Sequence, residues 1–144
     1  MVQPTSIFKT GMTVQTADIR IASTLRKKVR QFYEYLNRGE LEWCYHALDP
    51  CLRATPSAVT QYQYACSLKR FLDEYGRIHV VQIDPIQLHL NEPNRLYNNR
   101  DFAMVEVIWE DRLAQRHSFK ERWVRDRRGR WYTRSTGLVT PQKR

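Results

Sequence analysis

FLDEYGRIHVV, Phe71–Val81, is the stretch on which the fold turns. Upstream of it, Tyr64, Leu68, Phe71, Leu72 and Tyr75 recur at helical spacing and form one apolar stripe. Gly76 stands where a helix C-terminus takes a residue of positive φ. From His79 onward the apolar period drops from 3.6 to 2, the spacing of a strand with one buried face. Everything before this point reads as helix, and everything after it reads as sheet.

Working toward the N-terminus, this helix starts at about Val59, and residues 50–58, with Pro50 and Pro56, read as a loop. A short helix precedes it, on Leu41, Cys44, Tyr45 and Leu48, with Glu40 and Glu42 in its first turn, where the helix dipole favours negative charge. Asp49-Pro50 ends that helix, because the residue before proline is pushed out of the helical region. A longer helix comes first, with Ala22, Leu25, Val29, Phe32, Tyr33 and Leu36 on one face and Arg26, Lys27, Arg30 and Glu34 on the other. Thr16 or Asp18 caps its start and Asn37-Arg38-Gly39 stops it. Residues 1–15, with Pro4 and Gly11 and no periodicity, are expected to be an arm that is mobile unless a partner holds it.

Working toward the C-terminus, His79–Leu90 is broken by Asp84-Pro85, so it is either an edge strand or a long strand with a bulge. Asn91–Asp101 is a polar turn region. Phe102–Glu110 alternates Ala103, Val105, Val107 and Trp109 with Met104, Glu106 and Ile108. After a turn at Glu110–Arg112, Leu113–Arg125 is expected as a strand, Asp126–Gly129 as a hairpin turn and Arg130–Thr136 as the last strand. Three helices followed by a meander of about four antiparallel strands predict an α+β domain over residues 16–140, with helices packed on one face of a curved sheet and a basic tail at 141–144.

Composition narrows the class. The 144 residues carry 24 Lys and Arg against 15 Asp and Glu, a formal net charge of +9. Residues 1–111 are balanced, with 13 basic and 13 acidic side chains, so the whole excess falls in residues 112–144. A hydrophobic content of 42 % excludes a wholly disordered chain, and no apolar run is long enough to span a membrane. The N-terminus lacks the pattern of a secretory signal. The three cysteines, Cys44, Cys51 and Cys66, have neither disulfide-framework nor zinc-site spacing, although a Cys44–Cys51 bridge is not excluded. The expectation is a cytoplasmic protein with no cofactor and no metal.

Two segments resemble a known superfamily. LNRGELEWCYHALDP, Leu36–Pro50, looks like the junction of the first two helices in nuclear transport factor 2-like proteins, the cone-shaped, cystatin-like group that includes SnoaL-like polyketide cyclases. FKERWVRDRRGRWYTRSTGL, Phe119–Leu138, is similar to the closing hairpin of that group. The element order matches over roughly residues 18–138. The resemblance implies a cone-shaped domain whose outer sheet face forms a homodimer. It does not imply one activity, because the superfamily hosts isomerases, dehydratases, transport factors and oligomerisation domains. Its enzymes hold an Asp with His or Tyr inside the cone. No such pair is matched here, and no catalytic residue is carried over.

The residues themselves offer two candidate sites. His117, Phe119, Glu121 and Trp123 share a face of the penultimate strand. On a concave face, with Trp109, Tyr33, Tyr64 and His89 as neighbours, they would line an aromatic pocket for a small apolar ligand, and Glu121 with His117 would be the acid and base. The plainer alternative makes Phe119 and Trp123 core and leaves His117 and Glu121 near the rim, paired with arginines. The second site is basic. Arg116, Lys120 and Arg122 project from the other face, Arg130 and Arg134 sit on the last strand, and Arg125, Arg127 and Arg128 cluster at the hairpin. Such a surface attracts acidic protein, nucleic acid or an anionic membrane.

Three functions follow. The first is a non-enzymatic binding or assembly module docking an acidic partner through the basic sheet face. The second is a cofactor-free lyase or isomerase acting on a hydrophobic small molecule. The third is nucleic-acid binding through the C-terminal arginines.

Overall fold

The structure, a computed structural model, describes residues 7–9, 16–54 and 60–135. The order is β1 (Ile7–Lys9), α1 (Thr16–Asn37), α2 (Leu41–His46), α3 (Pro50–Arg53), α4 (Gln61–Tyr75), β2 (His79–His89), β3 (Phe102–Glu110), β4 (Arg116–Arg125) and β5 (Trp131–Thr133). Strands β2 to β5 form an open antiparallel meander, and the helices pack on one face of it. The architecture is α+β, as the change of period at Gly76 predicts. No helix among the described residues is long and apolar enough to cross a membrane.

The core joins the two halves. The α1 stripe Ala22, Leu25, Val29, Phe32, Tyr33 and Leu36 and the α4 stripe Tyr64, Leu68, Phe71 and Tyr75 meet Ala103, Val105, Val107 and Trp109 of β3. Burial of this kind stabilises by roughly 25 cal/mol per Å² of apolar surface. Gly76 has φ +72, and a Cβ there would come within 2.9 Å of the Arg112 side chain, so glycine answers both the backbone and the packing demand.

Several boundaries differ from the sequence expectations. Residues 50–53 are helical, not loop: Pro50 opens α3, and the Asp49 carboxylate caps it by accepting from the Cys51 amide at 3.2 Å. Helix α4 begins at Gln61, where Thr60 and Gln63 form a reciprocal capping box. Strand β4 begins at Arg116 rather than Leu113, because the Asp111 carboxylate takes the Leu113 and Gln115 amides at 2.8 and 3.0 Å and Ala114 turns at φ +61. The last strand is shorter than expected, Trp131–Thr133.

Strand β2 is a long bulged strand and not an edge. Its register against β3 slips between Val80 and Gln82 and again between Ile83 and Ile86, at the cis Asp84-Pro85 bond. Ile83 and Ile86 are three residues apart, an odd spacing that alone would place them on opposite faces. The second bulge puts both in the core. Arg26 of α1 holds this bulge, donating from Nη2 to Asp84 at 3.1 Å and from Nε to the Ile83 carbonyl at 3.3 Å. On its other side β2 pairs in parallel with β1, so residues 7–9 of the expected mobile arm belong to the sheet. The rest of that arm, the start of the third helix at Val59, residues 136–140 and the 141–144 tail lie outside the described residues.

Candidate functional site

The face shared by His117, Phe119, Glu121 and Trp123 is the one that packs on the helices. Across the ladder they oppose Trp109, Val107, Val105 and Ala103. Tyr33, Tyr64, Trp109 and Trp123 are all buried there, and Phe119 packs against them. These side chains pack against one another in the core instead of lining one shared pocket, and Tyr33 and Trp123 each border a separate surface depression. His89 is not among them. It alternates with the buried Leu88, stacks on Phe102 at 4.4 Å on the other face, and pairs with Glu92 at 3.2 Å.

Glu121 is only 2 % exposed. It lies deep in the core, not at the rim, and no arginine reaches it among the described residues. One carboxyl oxygen accepts from the Tyr33 hydroxyl and the other from Trp123 Nε1 at 2.8 Å. Burial pushes its pKa above the ordinary carboxylate value, more than these two hydrogen bonds draw it back. Burial and the adjacent Glu121 push the Tyr33 hydroxyl well above its own ordinary value. Close to this pair lie two further groups. The Tyr64 hydroxyl is buried with no hydrogen-bond partner among the described residues, and the Cys44 thiol is pushed up to about 12, first by burial.

His117 belongs to a different cluster. Its Nε2 pairs with Asp111 Oδ2 at 2.8 Å, and its ring stacks on Trp109 at 4.4 Å. Its partner is therefore a carboxylate, not an arginine. The hydrogen bond to His117 is the largest influence holding Asp111 below the usual carboxylate range. Four residues along a strand separate His117 from Glu121, roughly 13 Å, and Phe119 stands between them. The two side chains share a face but cannot act on one atom.

Half of the basic set is neutralised within the chain. Arg116 pairs with Glu110 at 3.0 Å, Arg125 with Asp101 at 3.5 Å, Arg130 with Asp126 at 2.9 Å and Arg134 with Asp49 at 2.7 Å. Arg122 donates to the Tyr97 hydroxyl at 3.3 Å. Lys120, Arg127 and Arg128 are exposed and have no carboxylate partner among the described residues. At the hairpin tip, Asp126 is committed to the Arg128 and Arg130 amides and to the Arg130 guanidinium, so the side chains of Arg127 and Arg128 keep their charge for solvent or a partner.

A surface that charge totals conceal lies on α1. Arg20, Lys27, Lys28 and Arg30 are exposed, and Glu34 is the one exposed acid of that helix. Beside it, a 310 Å³ cleft is lined by Lys28, Gln31, Tyr35, Trp43, His46 and Tyr132, among others. A 470 Å³ depression at the other side of the helix has Arg30, Arg77 and Arg112 facing Glu34, Glu110 and Asp111. Among the described residues no group of three His, Cys, Asp or Glu is placed to hold a metal ion.

No family model, no curated protein and no solved structure matches the chain.

Proposed function

We propose that the chain is a non-catalytic binding module of the nuclear transport factor 2-like kind, and that it docks an acidic protein surface through Lys120, Arg122, Arg127 and Arg128. One observation carries this reading. Asp126, the acid nearest the hairpin tip, is consumed by Arg130 and by two backbone amides, and Arg127 and Arg128 stand exposed beside it with no carboxylate of their own. Adjacent uncommitted guanidiniums suit carboxylates on a partner, because each offers a planar fork of donors.

The interior supports the same reading. Both oxygens of Glu121 are engaged by side chains of the chain itself, and His117 is occupied elsewhere. Side chains packed together in the core and hydrogen-bonded to one another leave the exposed arginines as the groups available to a partner.

The test is binding of a fluorescein-labelled polyglutamate peptide at about 50 mM salt. Arg127→Ala with Arg128→Ala should weaken it at least several-fold and leave the thermal midpoint unchanged, since neither side chain has a structural partner among the described residues. Unchanged binding in that double variant, or no binding by the parent chain, overturns the proposal.

A further inference from the structure

We infer that the outward face of α1 and the adjoining aromatic cleft form a track for single-stranded nucleic acid, separate from the acidic-partner surface at the hairpin. Helix α1 carries five cations. Arg26 faces inward and is spent on Asp84 and the Ile83 carbonyl. Arg20, Lys27, Lys28 and Arg30 point to solvent, and no carboxylate among the described residues pairs with them. Ten residues of helix separate Arg20 from Arg30, about 15 Å. These cations spread over the outward face of the helix: Lys28 and Arg30 lie on opposite flanks, with Lys27 between them, so positive charge spans the helix from one side to the other.

The depressions around the helix are contiguous. The 470 Å³ depression shares Arg30 and Glu34 with a shallow one along α1, and that one shares Lys28 and Gln31 with the 310 Å³ cleft. One path therefore leads from the charge-balanced 470 Å³ depression, across Arg30, Lys27 and Lys28 of α1, where cations outnumber the single acid Glu34, to Trp43.

At that end the chemistry changes from charge to aromatic faces. Trp43 is 54 % exposed, whereas Trp109, Trp123 and Trp131 are buried. It lies nearly parallel to Tyr35, with centroids 6.0 Å apart and 27° between planes, and His46 meets its edge at 5.9 Å. A chain that buries three tryptophans and leaves the fourth on a neighbouring aromatic step has an exposed stacking platform.

Phosphates across a face of cations, followed by bases on aromatic faces, is the recognition chemistry of a single strand. A duplex keeps its base faces stacked inside and cannot use the platform. An acidic peptide would use the cations and leave the aromatic step idle.

The probe is a fluorescein-labelled fifteen-residue oligothymidylate, with binding followed by anisotropy and by tryptophan emission. The parent chain should bind it at about 50 mM salt with quenching of the exposed tryptophan. Trp43→Ala should weaken binding by about 5- to 150-fold and abolish the quench, as loss of one base–aromatic stack does. Lys27→Ala, Lys28→Ala and Arg30→Ala together should reduce the slope of log K against log salt by about 2. These positions are exposed, and an unchanged thermal midpoint will show that the variants fold. Arg127→Ala with Arg128→Ala should leave oligonucleotide binding intact, which separates this track from the hairpin surface. Absence of binding at low salt, insensitivity to Trp43→Ala, or dependence on Arg127 and Arg128 instead would overturn the inference. So would equal competition by polyglutamate at matched charge.

Discussion

Asp49 and Arg134 meet across 85 positions of sequence, with Arg134 Nη1 2.7 Å from Asp49 Oδ2. The carboxylate is 0 % exposed and is also gripped by Arg100, at 2.9 Å on Oδ1 and 3.0 Å on Oδ2. Backbone bonds run beside it, from the Asp49 amide to the Thr133 carbonyl and from the Thr133 amide to the Ala47 carbonyl. One buried acid thus joins the α2–α3 junction, the loop after β2 and the end of β5. Two of the chain's arginines are structural for this reason and do not contribute to a docking surface.

Asp49→Asn is expected to destabilise the fold by about 3–5 kcal/mol, because two guanidiniums lose the charge that compensates them. The pH dependence has a definite sign. Burial pushes the Asp49 carboxyl up, but the hydrogen bonds of Arg100, Arg134 and the Cys51 amide, with the charge of Arg100, bring it below the ordinary value. A lowered folded-state pKa gives stability that is complete above the unfolded value, about 3.9, and is lost as pH falls through the folded value. Urea unfolding between about pH 3 and pH 7 should show the parent losing its advantage over Asp49→Asn only at the acid end.

Glu121 should behave in the opposite way. Its pKa is raised by burial despite the Tyr33 and Trp123 hydrogen bonds. The folded state therefore holds its proton more tightly than the unfolded chain does, and stability falls as pH rises from about 4.3 through the folded value. A Gln at this position can accept from Trp123 and donate to the Tyr33 oxygen without carrying charge. Glu121→Gln should gain on the parent steadily as pH rises through that window. A stability difference independent of pH would show that the carboxyl titrates alike in both states.

The helical stripes on α1 and α4 and the alternation of β3 were legible in the sequence because one buried face imposes one period. The parity of His117, Phe119, Glu121 and Trp123 was legible for the same reason. Whether that face left a pocket was not, since Tyr33 and Tyr64 pack against it from helices distant in sequence. The placement of Ile83 and Ile86 was hidden too, because a bulge breaks the period that would reveal it. Asp49 reads locally as a helix terminator, and nothing nearby signals Arg100 or Arg134. Charge misled by summation. Residues 1–111 total zero, yet tertiary pairing with Glu110, Asp101 and Asp49 removes Arg116, Arg125 and Arg134 from the C-terminal excess, and among the described residues it leaves Arg20, Lys27, Lys28 and Arg30 of α1 unopposed.

Tyr33 and Tyr64 provide a matched pair for testing how the buried acid is held. Both rings are buried near Glu121, but only the Tyr33 hydroxyl donates to it, while the Tyr64 hydroxyl has no partner among the described residues. A buried hydroxyl without a hydrogen bond costs about 1–3 kcal/mol, so Tyr64→Phe should be neutral or stabilising by up to about 1 kcal/mol. Tyr33→Phe removes a hydrogen bond to a carboxylate and should cost about 1.5–3 kcal/mol near neutral pH. The loss should be smaller at low pH, because the Tyr33 bond is one of the two influences lowering the Glu121 pKa. Without it the folded-state pKa rises further, and the decline of stability with pH becomes steeper in total. Chemical denaturation of both variants at about pH 4.5 and pH 7.5 separates the effects. Tyr33→Phe should show the wider gap between the two pH values, and Tyr64→Phe should track the parent. Equal behaviour of the two variants would mean that the Tyr33 hydroxyl does nothing for the carboxyl that the Tyr64 hydroxyl does not.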